Sequence, residues 1–342
     1  MPSGIKQLRQ IQLGKEATAG TATTATTRWR GLGAFEDNRE VTFPEEYIGI
    51  IGGGDRSYIA KSSGSFKMDD TDATFEQLPH LLIASIANTT AGVQQGTSSG
   101  YLYTYTIPTT TAPTIQTYTI RAGDNLQAEI MKYSFVKSFS LKANAGEAVM
   151  MSAEWMGRSI TTGSYSTSVS VPDVETILST KATFTVDAVS GTYGGGTLIT
   201  DLNTLIACEI NFEDTIAAKW VMRPHGDDST SFAFHYAGNR KISGSVTFEH
   251  NADATTEKEA FRNQTPRLLR FWFYGSALTT AGVTYEKKTL IVDLPIKYES
   301  FDSLDDIDGN SIIKANFVSK YNATVGDAGK VIVVLNGTTS IP

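Results

Sequence analysis

The four histidines, His80, His225, His235 and His250, are the first candidates for chemistry in this chain. His225-Gly226-Asp227-Asp228 is the most ligand-like cluster, and His250 lies beside Glu249 and near Asp253. None has the H-E-x-x-H spacing or another pattern that places two imidazoles on one metal, so they read as exposed loop and strand positions. Asp306-Ile307-Asp308-Gly309 hints at a calcium loop. With Gly309 at position 6 of an EF-hand, however, Leu304 and Ala315 fall where oxygen ligands are needed, so that loop is rejected. Asp308-Gly309-Asn310 reads more simply as a hairpin turn, since Gly and Asn tolerate positive φ. Gly52-Gly53-Gly54-Asp55 and Gly194-Gly195-Gly196 lack the Lys-Ser/Thr of a phosphate loop and the spacing of a dinucleotide fingerprint. No G-x-S-x-G elbow is present. The one cysteine, Cys208, sits in the apolar run Leu205-Ile206-Ala207-Cys208-Glu209-Ile210 and reads as a small core residue. The sequence nominates no catalytic, metal-binding or cofactor-binding residue, and the expectation is a protein without cofactor that is not an enzyme.

Composition narrows the class further. The formal net charge is −7 and the pI is near 5.2, so the chain has no electrostatic reason to grip phosphate. Forty per cent apolar content is enough for a packed core. No apolar run approaches the length of a membrane span. The start, MPSGIKQLRQ, lacks the apolar stretch of a secretory signal, so the sequons at Asn88, Asn322 and Asn336 are not read as modified. One cysteine excludes an internal disulfide framework.

The elements that would carry any function are strands. Threonine fills about one position in eight, and its stiff β-branched side chain suits a pleated strand. Apolar and polar residues alternate through 101–107, 117–120, 184–187, 231–236, 243–248, 289–294, 312–317 and 331–335. Regular helices between strands are absent, which argues against a parallel βαβ arrangement. Two helices are predicted. One runs over about 73–87, with Asp72 as N-cap and Pro79 as an early interruption. The other runs over about 254–264, with Asp253 as N-cap and Pro266 closing it.

The two halves also look alike. Phe35-Glu36-Asp37 matches Phe212-Glu213-Asp214, Ser63-Gly64-Ser65-Phe66 matches Ser243-Gly244-Ser245-Val246, Asp72-Ala73-Thr74 matches Asp253-Ala254-Thr255, and Pro79-His80-Leu81-Leu82 matches Pro266-Arg267-Leu268-Leu269. The stretch from Asn144 to Trp155 resembles that from Asp308 to Phe317. The matches keep their order, which suggests a duplicated β domain. The alternative is recurrence of the Gly/Asp turn chemistry that every β protein uses. On the duplication reading, 1–30 is an irregular N-terminal arm and 31–160 a first β domain with a long Thr/Gly/Ser loop at 88–117. Residues 161–180 are a linker, 181–325 a second β domain, and 326–342 a strand with an exposed tail.

These features resemble the tail tube (major tail) proteins of long-tailed siphophages. Gly14-Lys15-Glu16-Ala17-Thr18-Ala19-Gly20-Thr21-Ala22 is similar to the opening of several of them. The strand-then-helix order after Ser63-Gly64-Ser65 and Ser243-Gly244-Ser245 and the late Asp308-Gly309-Asn310 turn are similar too. The resemblance implies a mainly β fold of two tandem β-sandwich or barrel domains, each with a flanking α-helix. It implies a structural subunit whose domains close a ring through a continuous inner β-barrel, three two-domain chains giving a pseudo-sixfold ring. Rings stack into a conduit for DNA ejection in the virion, assembled in the host cytoplasm. Implied partners are further copies of the chain, a tape-measure protein, a tail terminator and baseplate proteins, with DNA passing unbound and no membrane. An acidic lining would suit that passage. The 88–117 loop and both termini are the expected ring-to-ring contacts. The rival readings are a baseplate or fibre protein, a carbohydrate-binding adhesive β-sandwich using Tyr101, Tyr103 and Tyr105, and a hydrolase with an unrecognised carboxylate pair.

Overall fold

The computed structural model describes residues 3–196, 204–213, 216–222, 230–238 and 240–342; the His225-Gly226-Asp227-Asp228 cluster lies outside them. The protein is mainly β, built from antiparallel strands. The first half holds β1 (Gln10–Lys15), β2 (Gly33–Thr42), β3 (Tyr58–Asp72), α1 (Leu78–Ile83), β4 (Gly100–Thr106), β5 (Tyr118–Gly123), β6 (Ala128–Asn144) and β7 (Met150–Gly157). The second holds β8 (Ala182–Ala188), β9 (Leu205–Glu213), β10 (Ile216–Lys219), β11 (Phe234–Ala237), β12 (Lys241–Glu249), α2 (Ala252–Arg262), β13 (Arg267–Ala277), β14 (Lys287–Phe301), β15 (Asn310–Ser319) and β16 (Lys330–Asn336).

The halves follow one hydrogen-bonding order. In the first it is β1-β5-β6-β7-β3-β2. In the second it is β8-β13-β14-β15-β12-β9. Each helix follows the equivalent strand, α1 after β3 and α2 after β12. Even an irregularity is shared. β6 is bulged between Val136 and Ser138, opposite Trp155, and β14 between Tyr298 and Ser300, opposite Phe317. A bulge adds one residue to one strand and increases its local twist, so it marks an equivalent position well. It aligns Trp155 with Phe317. Phe35 and Phe212 hold different register positions, for Phe35 pairs with Phe66 and Phe212 with Ile242.

Among the described residues, strand pairing joins the halves in two places. β6 pairs with β9 from Asn144↔Ala207 to Phe139↔Phe212. β16 pairs with β14 on one side and β4 on the other. One hydrophobic core runs through both halves, from Leu13, Trp155 and Phe66 to Phe271, Leu290 and Phe317.

Several expected boundaries move. The first helix is a single buried turn and a half, starting at Leu78. Residues up to Asp72 belong to β3, and Pro79 sits in the first turn, where its missing N–H is harmless. The second helix begins two residues earlier than expected. Asn251 is its N-cap, its side chain accepting from the Ala254 N–H at 3.0 Å, and Asp253 lies in the first turn. The 88–117 stretch is not an open loop: it contains β4, which buries Tyr103 and Tyr105 and pairs with the C-terminal strand. The C-terminal segment is correspondingly built in, with Ile341 buried. The 161–180 linker is laced to the first half by Ile177, whose N–H donates to the Ala73 carbonyl at 2.8 Å and whose carbonyl accepts from Val149 N–H at 2.8 Å.

The N-terminal arm changes most. β1 pairs with β5 along its full length, and the following Glu16 is buried. Its carboxylate accepts from the Thr117 and Thr119 hydroxyls at 2.9 Å each and from the Tyr133 N–H at 2.9 Å, and it also takes the Gly20 N–H at 2.7 Å. A buried carboxylate persists only when so satisfied. Tyr133 has φ of 55°, outside the strand region, and the Glu16 bond helps hold it there. Replacing Glu16 with Ala strands these donors. Chemical denaturation is expected to show a loss of about 2–4 kcal/mol, since each buried donor left unpaired costs roughly 1–3 kcal/mol.

Candidate functional site

Of the residues first considered for chemistry, those that are described do not converge. Among the described residues no group of three or more His, Cys, Asp or Glu side chains is placed to hold a metal. Asp308 (φ 52°) and Gly309 (φ 85°) form a hairpin turn between 305–307 and β15. Two successive positive φ values are what a tight two-residue hairpin of this kind requires. Cys208 lies buried in β9, and burial pushes its thiol up to about 12. Tyr103 and Tyr105 face the core, and the Tyr103 hydroxyl donates to the Thr338 carbonyl at 2.6 Å. They provide no exposed sugar platform.

His80 departs from the exposed position expected of it. It sits in α1, fully enclosed, with Nδ1 2.8 Å from the Tyr118 hydroxyl. Tyr118 meets Trp155 edge to face at 5.4 Å. Burial, with the Lys15 charge adding to it, pushes the imidazole down to about 3.

Strand edges and faces are where this fold leaves unmet capacity. β2, β3, β7, β6, β9, β12, β15 and β14 form one continuous run of strands. At one end, the outer edge of β2 faces no strand among the described residues. At the other, β14 pairs with β15 through Phe301, while its contacts with β13 and β16 stop at Ile296 and Asp293. Residues 297–301 therefore carry a second edge with no strand beside it among the described residues. In the first half the register carries residues 297–301 onto 135–139 of β6, and Phe139, the counterpart of Phe301, begins the pairing with β9. Unpaired strand edges are templates for another chain.

The run has one face on the core and one open. The open face pairs Lys with Glu across strands: Lys61–Glu40 at 3.5 Å, Lys137–Glu154 at 3.6 Å, Lys142–Glu209 at 3.8 Å and Lys241–Glu213 at 3.9 Å. Ser140 and Ser152 hydrogen-bond between them at 2.8 Å. A depression of about 420 Å³ opens on this face beside Glu36, Lys67, Glu154 and Asn211. These pairs are well exposed, and each contributes no more than about 1 kcal/mol. Their effect is to make the face polar and charge-balanced. The acidic surface expected from the net charge is not concentrated here.

The strongest surface feature escaped the sequence reading. The β2–β3 connection, residues 43–57, exposes Phe43, Tyr47, Ile48, Ile50 and Ile51, with Tyr47 and Ile51 fully exposed. Its signal was the apolar run Tyr47-Ile48-Gly49-Ile50-Ile51 between Pro44 and the Gly52–Gly54 turn. Contiguous apolar exposure of this kind marks an interaction site. The equivalent connection in the second half, between β9 and β12, behaves differently. Its β10–β11 hairpin leads through Phe232, which is buried against Tyr133 (5.2 Å) and Phe135 (5.9 Å) of the first half. Arg158 donates from Nε to the Phe232 carbonyl at 3.1 Å and from Nη2 to the Ala233 carbonyl at 2.8 Å, and it stacks over Tyr133. Ser62 N–H donates to the Thr230 carbonyl at 3.1 Å.

Among the described residues no helix is long and apolar enough to cross a membrane. Compared with known proteins, the chain matches no family model and no curated sequence.

The buried His80 fixes a pH dependence. Its folded pKa lies below the usual 6.5, so the unfolded chain binds the extra proton first. The contribution is full above about pH 6.5 and shrinks as pH falls toward 3. Urea midpoints taken from pH 7 to pH 5 are expected to fall, with a slope of up to about 1.4 kcal/mol per pH unit. The slope should flatten in His80→Gln; an unchanged slope in that variant assigns the effect to other groups.

Proposed function

We propose that the chain is a self-assembling structural subunit of a phage-type tail tube rather than a catalyst. The observation that carries this reading is the β6–β9 joint. Two halves with one strand order meet edge to edge there, and among the described residues no strand lies beside the outer edge of β2, the counterpart of β9, or beside the end of β14 at Phe301, the counterpart of Phe139. A head-to-tail contact repeated with the right rotation closes into a ring, and closure removes the edges. Three chains would supply six such halves, giving a pseudo-sixfold ring. The covalent link within each chain makes every second joint intramolecular and raises its effective concentration.

In this reading the polar face of the strand run forms the inner wall. A wall of Lys–Glu pairs and serines offers passing DNA neither the cationic surface that would hold it nor a strongly repelling one. The wall is balanced rather than acidic, which revises the expectation drawn from the net charge. Rings would stack into a tube within the virion. Its further partners would be a tape-measure protein inside, a tail terminator above and baseplate proteins below.

Electron microscopy of the concentrated purified protein tests this. Rings of three chains, or tubes of stacked rings, are the expected particles. A chain that stays monomeric at every concentration contradicts the reading.

A further inference from the structure

The internal likeness of the two halves assigns an occupant to a groove on the second half. The surface that the β10–β11 hairpin covers on the first half is built around the ends of β3, β6 and β7 and the residue Arg158. The register carries this surface onto the second half. Trp155 aligns with Phe317 through the shared bulge, which places Arg158 at the position of Lys320. A backbone bond repeats as well: Arg158 N–H donates to the Lys132 carbonyl at 2.8 Å, and Lys320 N–H to the Pro295 carbonyl at 3.0 Å.

At this place the second half has an uncovered groove of about 410 Å³, whose lining includes Ile107, Arg240, Lys241, Glu299, Lys320 and Tyr321. Tyr321 is 57% exposed, and Arg240 Nε is buried without a hydrogen-bond partner. In the first half the same position is filled by residues 230–233 of the β9–β12 connection of the same chain. The counterpart of that connection is the β2–β3 connection, 43–57, and it is the segment left projecting with its apolar side chains exposed.

We infer that residues 43–57 of one chain dock in the Arg240–Lys320 groove of a second copy, repeating between chains the contact that the β9–β12 connection makes within one. The charges agree. The connection carries Glu45, Glu46 and Asp55 against its single Arg56, and the groove presents Arg240, Lys320 and Lys241, the last shared with Glu213, against its single Glu299. Glu46 is held by Arg56 at 3.2 Å in the isolated chain, leaving Glu45 and Asp55 exposed. Opposite charges at an interface set register and partner choice more than they set affinity. The apolar side chains Tyr47, Ile48, Ile50 and Ile51 supply the surface to bury. Lys320 takes the role of Arg158, donating to carbonyls of the incoming segment. The geometry also agrees with the strand edges: β2, which leads into this connection, would lie beside residues 297–301 of the same neighbour. The contact therefore joins chains around a ring. The inference rests on the ring reading but adds a site to it.

Cysteine crosslinking separates the two. Ile50→Cys and Tyr321→Cys are made singly; both positions are exposed, so folding is preserved, and the native Cys208 is buried. The two proteins are mixed at assembling concentration, oxidised and run without reductant, with particles checked by electron microscopy. A covalent dimer in the mixture, and none in either variant alone, is the expected result. Rings or tubes without that dimer overturn the docking site and leave ring closure standing. Monomers throughout overturn both.

Discussion

The joint between β6 and β9 governs this molecule. Six successive residue pairs zip the two halves there, and Phe139 stacks on Phe212 with centroids 4.3 Å apart and planes within 8°. Without it, each half would present a bare edge at the middle of the chain. The joint also fixes which face of the strand run is shared, since paired residues point to one side. The Lys–Glu ladder of the open face continues across it through Lys142 and Glu209. The proposal of a ring is an extension of this one contact: what β6 and β9 do within a chain, β14 and β2 are left to do between chains.

A second set of restraints makes the halves unequal. β4 lies inside the stretch between α1 and β5, and it pairs with β16 from the far end of the sequence. β16 also pairs with β14, where the buried Asp293 takes a two-bond contact from Arg270 at 2.7 and 2.8 Å and faces Lys330 at 3.8 Å. An isolated buried carboxylate would be strongly destabilising, whereas this one is matched by a planar two-pronged donor. The strap formed by β4 and β16 has no counterpart elsewhere in the described residues. It adds the Ile107 wall to the groove on the second half and so helps shape the place where the projecting 43–57 segment is proposed to rest.

Much of the strand content was legible in the sequence, because alternation of apolar and polar residues reports a half-buried strand directly. α2 was legible to within two residues through its polar N-terminal flank and Pro266. α1 was overextended because Ala73 and Phe75 are as apolar as helix residues, although they lie beyond the end of β3 and pack in the core. The arm and the 88–117 stretch were misread for a different reason. Their Thr, Ser and Gly content suits an exposed loop and a strand equally well, and the partners that decide between them lie over a hundred residues away. The likeness of the halves was visible at Trp155 and Phe317, where a bulge pins the register, but not at Phe35 and Phe212. The joint, the free edges and the groove depend on long-range register, which composition and local periodicity do not encode.

Hydrogen exchange tests the central claim, that the free edges repeat the internal joint. Backbone amides of the chain are followed in the unassembled protein and in assembled particles. The account predicts slow exchange for residues 207–212 in both states, because their strand partners are already present. It predicts that the outward-facing amides of residues 34–42 and 297–301, those not bonded to β3 or β15, exchange fast in the free chain and become protected together on assembly. Assembled particles in which those two segments exchange as fast as in the free chain would contradict it.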